Sequence, residues 1–414
     1  MKVLLSSIFL FIYFQNCFAL KPKNDSLATN AITVSTEYSF GSNALTNQLA
    51  KNYYRNDFIS TEMKDNVSKK LSNENRLGID FNYTIQYRHK TDSLFGLKNS
   101  FYRIKFRDVF HVDADFSKDA FELYFRGNKS YGGKTADLNN FEFRQLKYQQ
   151  INFTFGHGYS KMLNNYEWSA GVSLNKGQQF LSIKAPRASL YTAETGEYLD
   201  LNSNITIRQS DSSKTNKAAV NGIGSSIDFS FKWTDEKKRT MKITLENLGF
   251  ISWNDQSSFI HADTSFRFEG VDVSELFNFN DSIHQSVNLD SSFVQPYLSE
   301  RTRHTIITPL PGIIRLSYSI PVSKYHLQIE STIGHVFFAN SLPFIYQNYQ
   351  YKINSQHSLG MKISYGGYSG IHLGLNYEFQ GKGWVFRLKS DQVDAVLLKN
   401  GTAQGAFVSL SKYF

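Results

Sequence analysis

A strict alternation of apolar and polar residues near the C-terminus most constrains how this chain can fold. From Ile371 to Phe379 every odd position is large and apolar, while the even positions are His, Gly, Asn and Glu. The preceding segment repeats the pattern, with Leu359, Met361, Ile363 and Tyr365 in one phase. Because successive side chains of a strand point to opposite faces, both segments are predicted to be strands with one apolar and one polar face.

The same alternation recurs along most of the chain and predicts an all-β protein. It is clearest at residues 79–88, 101–112, 151–155, 168–174, 227–233, 241–245, 314–320, 327–333 and 384–388. These segments and the C-terminal ones make about 14 strands, an even number that suits a transmembrane antiparallel β-barrel. A soluble sandwich would give the same alternation and is the alternative. No repeat of fixed period is visible, which argues against a propeller or a solenoid.

Residues 1–19 have the features of a secretory signal peptide. A lysine precedes the apolar run 3–14, and the run is followed by Cys-Phe-Ala at 17–19, a small-x-small cleavage site. The run is shorter than the ~20 residues that a spanning helix needs, which argues against an anchor. Lipidation of Cys17 is a minor alternative, since Asn16 before it does not suit that signal. The barrel domain is therefore expected at 20–414.

The composition suits a barrel better than a helical membrane protein. The mean hydropathy is only −0.38, yet 15% of the residues are aromatic. In a barrel only every second strand residue faces lipid, and aromatic girdles lie at both membrane interfaces. Cys17 is the single cysteine and leaves with the signal peptide. The mature chain therefore has neither a disulfide nor thiol chemistry.

The last residues continue the alternation to the end of the chain. Val408, Leu410 and the terminal Phe414 share the apolar phase, and Lys412 departs from it. A closing strand that ends on an aromatic residue resembles the assembly signal of outer-membrane barrels. The resemblance implies the barrel-assembly machinery as a partner during biogenesis. Lys412 is expected to snorkel to the membrane interface.

Four stretches in the same order resemble a family of Bacteroidota outer-membrane barrels of unknown function. They are LYFRGN at 123–128 with YGGK at 131–134, NGIG at 221–224 with IDF at 227–229, ENLGFISW at 246–253, and FRFEGVD at 266–272 with LF at 276–277. The resemblance implies the cell outer membrane as the location, with its lipid and other outer-membrane proteins as partners. The general plan is similar to fatty-acid-transporter barrels, which hold polypeptide in the lumen. No activity is implied, because none is established for the family.

The segment 44–71 differs from the strands and is predicted to be helical. Ile59, Met63, Val67 and Leu71 follow each other at i, i+4 spacing and form one apolar stripe. The segment is too polar to face lipid. It is therefore expected to be plug-like, inside the barrel or under its periplasmic mouth. A surface helix on a soluble domain is the alternative.

Charged residues occur singly in the polar phase of the strands. The residues predicted to face the lumen are Asp80, Arg88, Asp228, Lys232, Lys242, Glu246, Arg315, Glu330, Lys362 and Glu378. Charges in an interior need partners, so they are expected to pair with one another. A nucleic-acid groove would need an unpaired basic cluster, so nucleic acid is not expected as a partner despite a pI of about 9.2.

No residue pattern indicates catalysis or a cofactor. The ten histidines are scattered and there is no HExxH sequence. In the GYSG stretch at 367–370, Ile371 stands where a nucleophile elbow needs its last glycine. Acidic residues between 272 and 290 lack EF-hand spacing. We expect no enzyme activity, no metal and no cofactor, although a site made across strands stays open.

Two functions fit these features. One is a plugged channel or binder for a small or hydrophobic solute. The other is a non-transporting structural or accessory subunit of an outer-membrane secretion or barrel-assembly machine. A continuous apolar tunnel with a lateral gap in the wall would favour the first. A lumen closed by paired charges with large outward loops would favour the second.

Overall fold

One large antiparallel sheet dominates the structure, which is a computed structural model. The structure describes residues 29–161, 164–214, 216, 218–269, 301–322, 326–398 and 400–414. The predicted signal peptide, the end of the fourth family stretch and all of the acidic residues between 272 and 290 lie outside the described residues.

The sheet contains nineteen strands, and a few short helices connect them. The strands are β1 Asn30–Ser42, β2 Asn75–Leu94, β3 Leu97–Phe116, β4 Lys134–Asp137, β5 Phe141–Lys161, β6 Asn164–Thr192, β7 Tyr198–Gln209, β8 Gly222–Thr234, β9 Thr240–Trp253, β10 Ser258–Glu269, β11 Thr302–Arg303, β12 Ile306–Pro309, β13 Gly312–Val322, β14 Leu327–Phe337, β15 Leu342–Lys352, β16 His357–Gly367, β17 Ser369–Gly381, β18 Trp384–Ser390 and β19 Ala403–Tyr413. The helices are α1 Asn47–Arg55, α2 Thr61–Ser68, α3 Lys118–Arg126 and α4 Val393–Leu397, with a 3₁₀ turn at Asn128–Tyr131.

Fourteen of these strands pair in a closed ring. Its order is β1-β2-β3-β5-β6-β8-β9-β13-β14-β15-β16-β17-β18-β19, and β19 pairs back with β1. A closed ring has no free strand edge, as a barrel in lipid requires. The predicted antiparallel barrel and its strand number are confirmed. In the part of the chain that the structure describes, no helix is long and apolar enough to cross a membrane.

The two faces of the wall differ as the alternation predicts. Apolar side chains such as Ile104, Phe153 and Leu375 are exposed on the outer face. Polar side chains on the other face bond across strands that are not neighbours. Lys105 on β3, for example, lies 3.3 Å from Asp228 on β8. Such contacts are possible only through the interior, so the polar phase faces the lumen.

The two ends of the barrel are different. At one end, here called the short-turn end, Asn30 and Phe414 exchange backbone hydrogen bonds. There the pairs β2/β3, β8/β9, β15/β16 and β17/β18 are joined by connections of two to five residues. The opposite, long-loop end carries the connections 43–74, 117–140 and 391–402.

A small sheet extends the wall at the long-loop end. The first half of β6 pairs with β8 in the ring, and its second half pairs with β7. β10 pairs with β7 in turn, and β4 pairs with the end of β6. We give the name rim assembly to the strands β4, β7 and β10, the second half of β6, and the four helices α1 to α4.

The predicted helical segment is two helices in the rim assembly. Side chains of Thr46 and Ser60 accept hydrogen bonds from the first turns of α1 and α2, and Asn56 with φ 55° ends α1. The apolar faces pack on α3 and on Phe116. Phe116 lies opposite Asn75, in the outward phase of β2 and β3. The expectation that this segment fills the barrel interior is therefore wrong, since its apolar stripe covers the outside of extended strands.

Candidate functional site

A cluster of buried apolar side chains lies in the interior toward the long-loop end, on the side of β3, β5, β6 and β9. We call it the lumen plug, and its members are Val109, Leu146, Tyr148, Phe180, Ile251, Trp253, Ile306 and Leu310. The rings of Phe180 and Trp253 stack with centroids 5.5 Å apart. Trp253 has no exposed surface, and its indole Nε1 donates to Thr308 Oγ1 at 2.8 Å. The plug is therefore as tightly filled as a protein core.

Residues 306–311 bring two of the plug side chains to the interior. β12 runs antiparallel to the end of β9, with Ile306 opposite Trp253. The backbone N–H of Leu310 then donates to the carbonyl of Gly249. Space for the indole comes from Gly177, where a Cβ atom would lie 2.6 Å from the Trp253 ring. β12 thus continues the wall beside β9 where β13 leaves it, and its inward side chains line the interior.

A hydrogen-bonded layer lies next to the plug. Gln150 Nε2 donates to oxygens of Asn175, Ser226 and Asn247 at 2.9 to 3.1 Å. Asn247 Nδ2 donates to the hydroxyl of Tyr148 at 2.9 Å, which ties this layer to the plug. The four strands β5, β6, β8 and β9 are thus joined through the interior by an apolar and a polar layer.

All ten residues predicted to face the lumen lie in the inward phase of their strands. Several are in ion pairs: Arg315 with Glu246 at 3.0 Å, Lys362 with Asp391 at 2.9 Å, Lys105 with Asp228 at 3.3 Å, His111 with Asp80 at 2.7 Å, and Arg387 with Glu378. Glu246 and Arg315, two of the ten, pair with each other. Lys362 and Asp228 pair with residues that the sequence had not singled out.

The pairing expectation fails for three of the cations. Among the described residues, Arg88, Lys232 and Lys242 make no ion pair with a carboxylate. Arg103 and Arg107 on β3 also face inward, and neither forms an ion pair with a described carboxylate. These two could have been found from the sequence, because Phe101, Arg103, Lys105 and Arg107 alternate with Tyr102, Ile104 and Phe106. The lumen therefore has an excess of cations near β3.

A cavity opens at the short-turn end. We call it the vestibule; its volume is about 640 Å³. Its wall is polar and charged, and includes Arg88, Lys90, Lys232, Asp92 and Glu167. Phe101, which is largely buried, contributes an aromatic surface next to Arg88. The vestibule suits a small polar solute better than an apolar one.

Residues 19–391 match the family described as "Family of unknown function (DUF5723)". The chain belongs to this family. The match covers most of the barrel, including the strands that carry the lumen plug and the vestibule. A search of curated proteins gave no match.

Solved structures similar to this DUF5723 protein are bacterial barrels. The Pseudomonas putida toluene transporter TodX has 7% identity and a TM-score of 0.41, covering 93% of this chain and 90% of the other. A Pseudomonas aeruginosa FadL homologue has 7% identity, the same coverage and a TM-score of 0.41. The translocator domain of the Neisseria meningitidis autotransporter NalP has 8% identity and a TM-score of 0.33, covering 98% and 92%. These scores are low, and the barrel assignment rests on the closed ring of strand pairs.

The register of β19 on β1 places the residues of the proposed assembly signal on the outer face of the barrel. Val408 and Leu410 pair with Thr36 and Val34, whereas Ser409 and Ser411 are buried on the inner face. Phe414 is 55% exposed. Lys412 Nζ lies 4.6 Å from the centre of the Trp384 ring, a position compatible with snorkelling. The role of these residues in assembly stays a prediction.

The described histidines of this DUF5723 chain form no shared site. His357 Nδ1 lies 2.8 Å from the Tyr377 hydroxyl, and His372 Nδ1 lies 3.2 Å from Asp394. The described residues contain no group of three or more His, Cys, Asp or Glu side chains that could hold a metal ion. The GYSG stretch spans the tight connection between β16 and β17.

Proposed function

We propose that the protein is an outer-membrane barrel that binds a small polar solute in its vestibule and does not conduct freely. The proposal rests on the vestibule, which is open at the short-turn end, and on the buried lumen plug, from which we infer that the barrel is closed beyond the vestibule. A hydrophobic solute is disfavoured, because charged side chains line both the vestibule and the lumen. The proposal includes no enzymatic step, cofactor or nucleic-acid partner.

The orientation follows from the ends of the barrel. Bacterial barrels have short periplasmic turns and longer extracellular loops. We therefore assign the short-turn end and its vestibule to the periplasm, and the rim assembly to the cell exterior. The outer apolar band contacts membrane lipid, and the barrel-assembly machinery is the partner during biogenesis.

Conductance in planar lipid bilayers tests the plug. The wild-type barrel should give no steady current above that of the bilayer. The double variant Trp253→Ala/Leu310→Ala removes two fully buried plug side chains and should give measurable current. The matched control Leu373→Ala/Leu375→Ala changes two outward side chains and should stay closed. Steady current in the wild type, or equal current in both variants, would contradict the proposal.

An accessory role in a larger machine is the second candidate, favoured by exposed apolar residues on the rim assembly. Phe58 is 84% exposed and Leu397 is 79% exposed. Purification from detergent-solubilised membranes tests this role. A defined partner should be lost with Phe58→Ser/Leu397→Ser and retained with Arg88→Gln. Absence of any partner that depends on the rim residues would exclude this candidate.

A further inference from the structure

Two pairs of like charges face each other inside the barrel. Arg88 on β2 lies directly opposite Arg103 on β3. Lys232 on β8 lies directly opposite Lys242 on β9. Like charges at directly opposite positions of an antiparallel pair destabilise the sheet. Two such pairs in one lumen indicate that these four residues have a role other than stabilising the fold.

The arginines keep unused hydrogen-bond donors. The Nε atoms of Arg88 and Arg103 are buried and have no hydrogen-bond partner among the described residues. The guanidinium of Arg88 lies 4.2 Å over the Phe101 ring, and Arg103 donates one bond, to Thr154 Oγ1 at 3.2 Å. Leaving a buried charged donor unpaired is costly, unless a ligand pairs with it.

The carboxylates nearby form no ion pair with these cations in the described part of the chain. Asp92 and Glu167 line the vestibule, and Glu167 is opposite Lys232 in the β6–β8 ladder. Neither forms an ion pair within the described part of the chain. The deeper carboxylates Asp228 and Glu246 already hold Lys105 and Arg315. Three cations, Arg88, Lys90 and Lys232, therefore line the vestibule with only two carboxylates, and Arg103 and Lys242 lie opposite Arg88 and Lys232 on the neighbouring strands.

The wall between the two pairs is built of small residues. β5 and β6 lie between β3 and β8 in the ring. At Gly156 a Cβ atom would lie 2.2 Å from the Phe101 ring, and at Gly171 a Cβ atom would lie 2.7 Å from Thr154 Oγ1. Because of these glycines, Phe101 and Thr154 can lie close against the wall. Phe101 contacts Arg88 and Thr154 contacts Arg103, so the space in front of the two guanidinium groups stays open.

We propose that the vestibule binds a small phosphate-type dianion between Arg88 and Lys232, the members of the two like-charge pairs that line it. A guanidinium fork matches the spacing of phosphate oxygens, and ammonium groups add point charges. A doubly charged ligand offsets the repulsion in both pairs. The inference specifies the solute of the proposed function and rests on it. Because all four side chains face inward, the phosphate group belongs to a soluble molecule.

Calorimetric titration with inorganic phosphate tests the inference on the full barrel in neutral detergent micelles. The wild type should bind one phosphate saturably. Arg88→Gln should raise the Kd roughly tenfold or more, the expected loss for a charge-assisted hydrogen bond. Arg387→Gln is the matched control, because Arg387 also faces inward but has Glu378 as its partner. Its Kd should stay within about twofold.

Thermal unfolding gives a readout that separates ligand binding from packing. Without phosphate, Lys242→Gln should unfold at a higher temperature than the wild type, because it relieves repulsion with Lys232. With phosphate, the wild type should gain stability and the variant should gain less. A variant that is less stable without phosphate would mean that Lys242 has a structural role, and would overturn the inference.

Three further results would overturn the proposed dianion site. They are no phosphate binding by the wild type, equal weakening by Arg88→Gln and Arg387→Gln, and stabilisation only by micelles containing anionic phospholipid. The last would assign the site to a lipid headgroup instead of a soluble molecule. Conductance of the same preparation keeps the two proposals apart. A closed wild-type barrel that does not bind phosphate refutes the dianion alone.

Discussion

At the scale of single residues, the lumen plug depends on the absence of a side chain at Gly177. The Trp253 indole occupies the space where a Cβ atom at position 177 would lie. Trp253 has no exposed surface and is held by stacking on Phe180 and by a hydrogen bond to Thr308. It therefore has little freedom to move aside.

Gly177→Ala should destabilise the barrel by about 1–3 kcal/mol, the usual cost of overpacking a filled interior. The measurement is unfolding in detergent micelles. Trp253→Phe provides a smaller ring, so the cost of Gly177→Ala should be smaller in the Trp253→Phe background. Equal costs in both backgrounds would show that the two residues are not in contact.

Exposed aromatic residues report whether a surface faces lipid or water. Phe153 on β5 is 52% exposed in the outer band, and Phe58 in the rim assembly is 84% exposed. Phe153→Arg should cost about 2–4 kcal/mol in barrels refolded into liposomes, because arginine is unfavourable near the bilayer centre. Phe58→Arg should cost less than about 0.5 kcal/mol, as at an ordinary exposed site. Similar costs for both variants would place the lipid boundary elsewhere.

At the scale of elements, the helices α1 and α2 belong to the long-loop end. Lys64 Nζ on α2 donates to the carbonyl of Phe125 on α3, and Arg126 on α3 pairs with Asp65 on α2 at 2.6 Å. Asn47 on α1 donates to the carbonyls of Ala395 and Ala403. These bonds hold α1 and α2 between α3 on one side and α4 with the start of β19 on the other, outside the lumen.

Proteolysis of intact cells tests this placement, since Phe58 and Phe95 lie at opposite ends. Both are more than four-fifths exposed, Phe58 between α1 and α2 and Phe95 in the β2–β3 turn. With the long-loop end outside, chymotrypsin added to whole cells should cut after Phe58 and spare Phe95. Permeabilised cells should be cut at both, and Phe58→Ala should remove the first site. Cleavage at Phe95 in intact cells would reverse the orientation.

Strand faces could be predicted from the sequence because their period is local, whereas the plug and the helix positions could not. Leu375 and Asn376 differ in face because neighbouring strand residues always do. Ile306 and Leu310 enter the lumen through the register of β12 on β9, and no alternation marks that segment. The stripe on α2 showed that it packs against something, but an amphipathic pattern does not say which surface it covers.

The like-charge pairs illustrate the same limit in the candidate site. The inward phase of Arg88, Lys232 and Lys242 follows from alternation alone. That Arg88 faces Arg103, and that Lys232 faces Lys242, depends on how far each strand is shifted against the next. Register is set by turns and by distant packing, so a single sequence supports pairing with opposite charges equally well.

At the scale of the whole molecule, the barrel exists only when its first and last strands pair. β1 and β19 share a ladder from Ala31 with Tyr413 to Gly41 with Ala403. Phe414 extends it, because its backbone N–H donates to the Asn30 carbonyl at 3.0 Å and its carbonyl accepts from the Asn30 N–H at 2.9 Å. An unpaired edge in hydrocarbon would be costly, so closure must be completed during insertion.

Deletion of Phe414 should therefore lower the amount of assembled barrel in the outer membrane more than it lowers the stability of refolded protein. Phe414→Ser is the matched variant, because it keeps both backbone bonds to Asn30 and removes only the exposed ring. If the ring is an assembly signal, both variants should reduce membrane levels to a similar extent, while Phe414→Ser unfolds in micelles like the wild type. Normal membrane levels for both would mean that the terminal aromatic residue is incidental. A loss seen only in micelle stability would mean that it acts by packing.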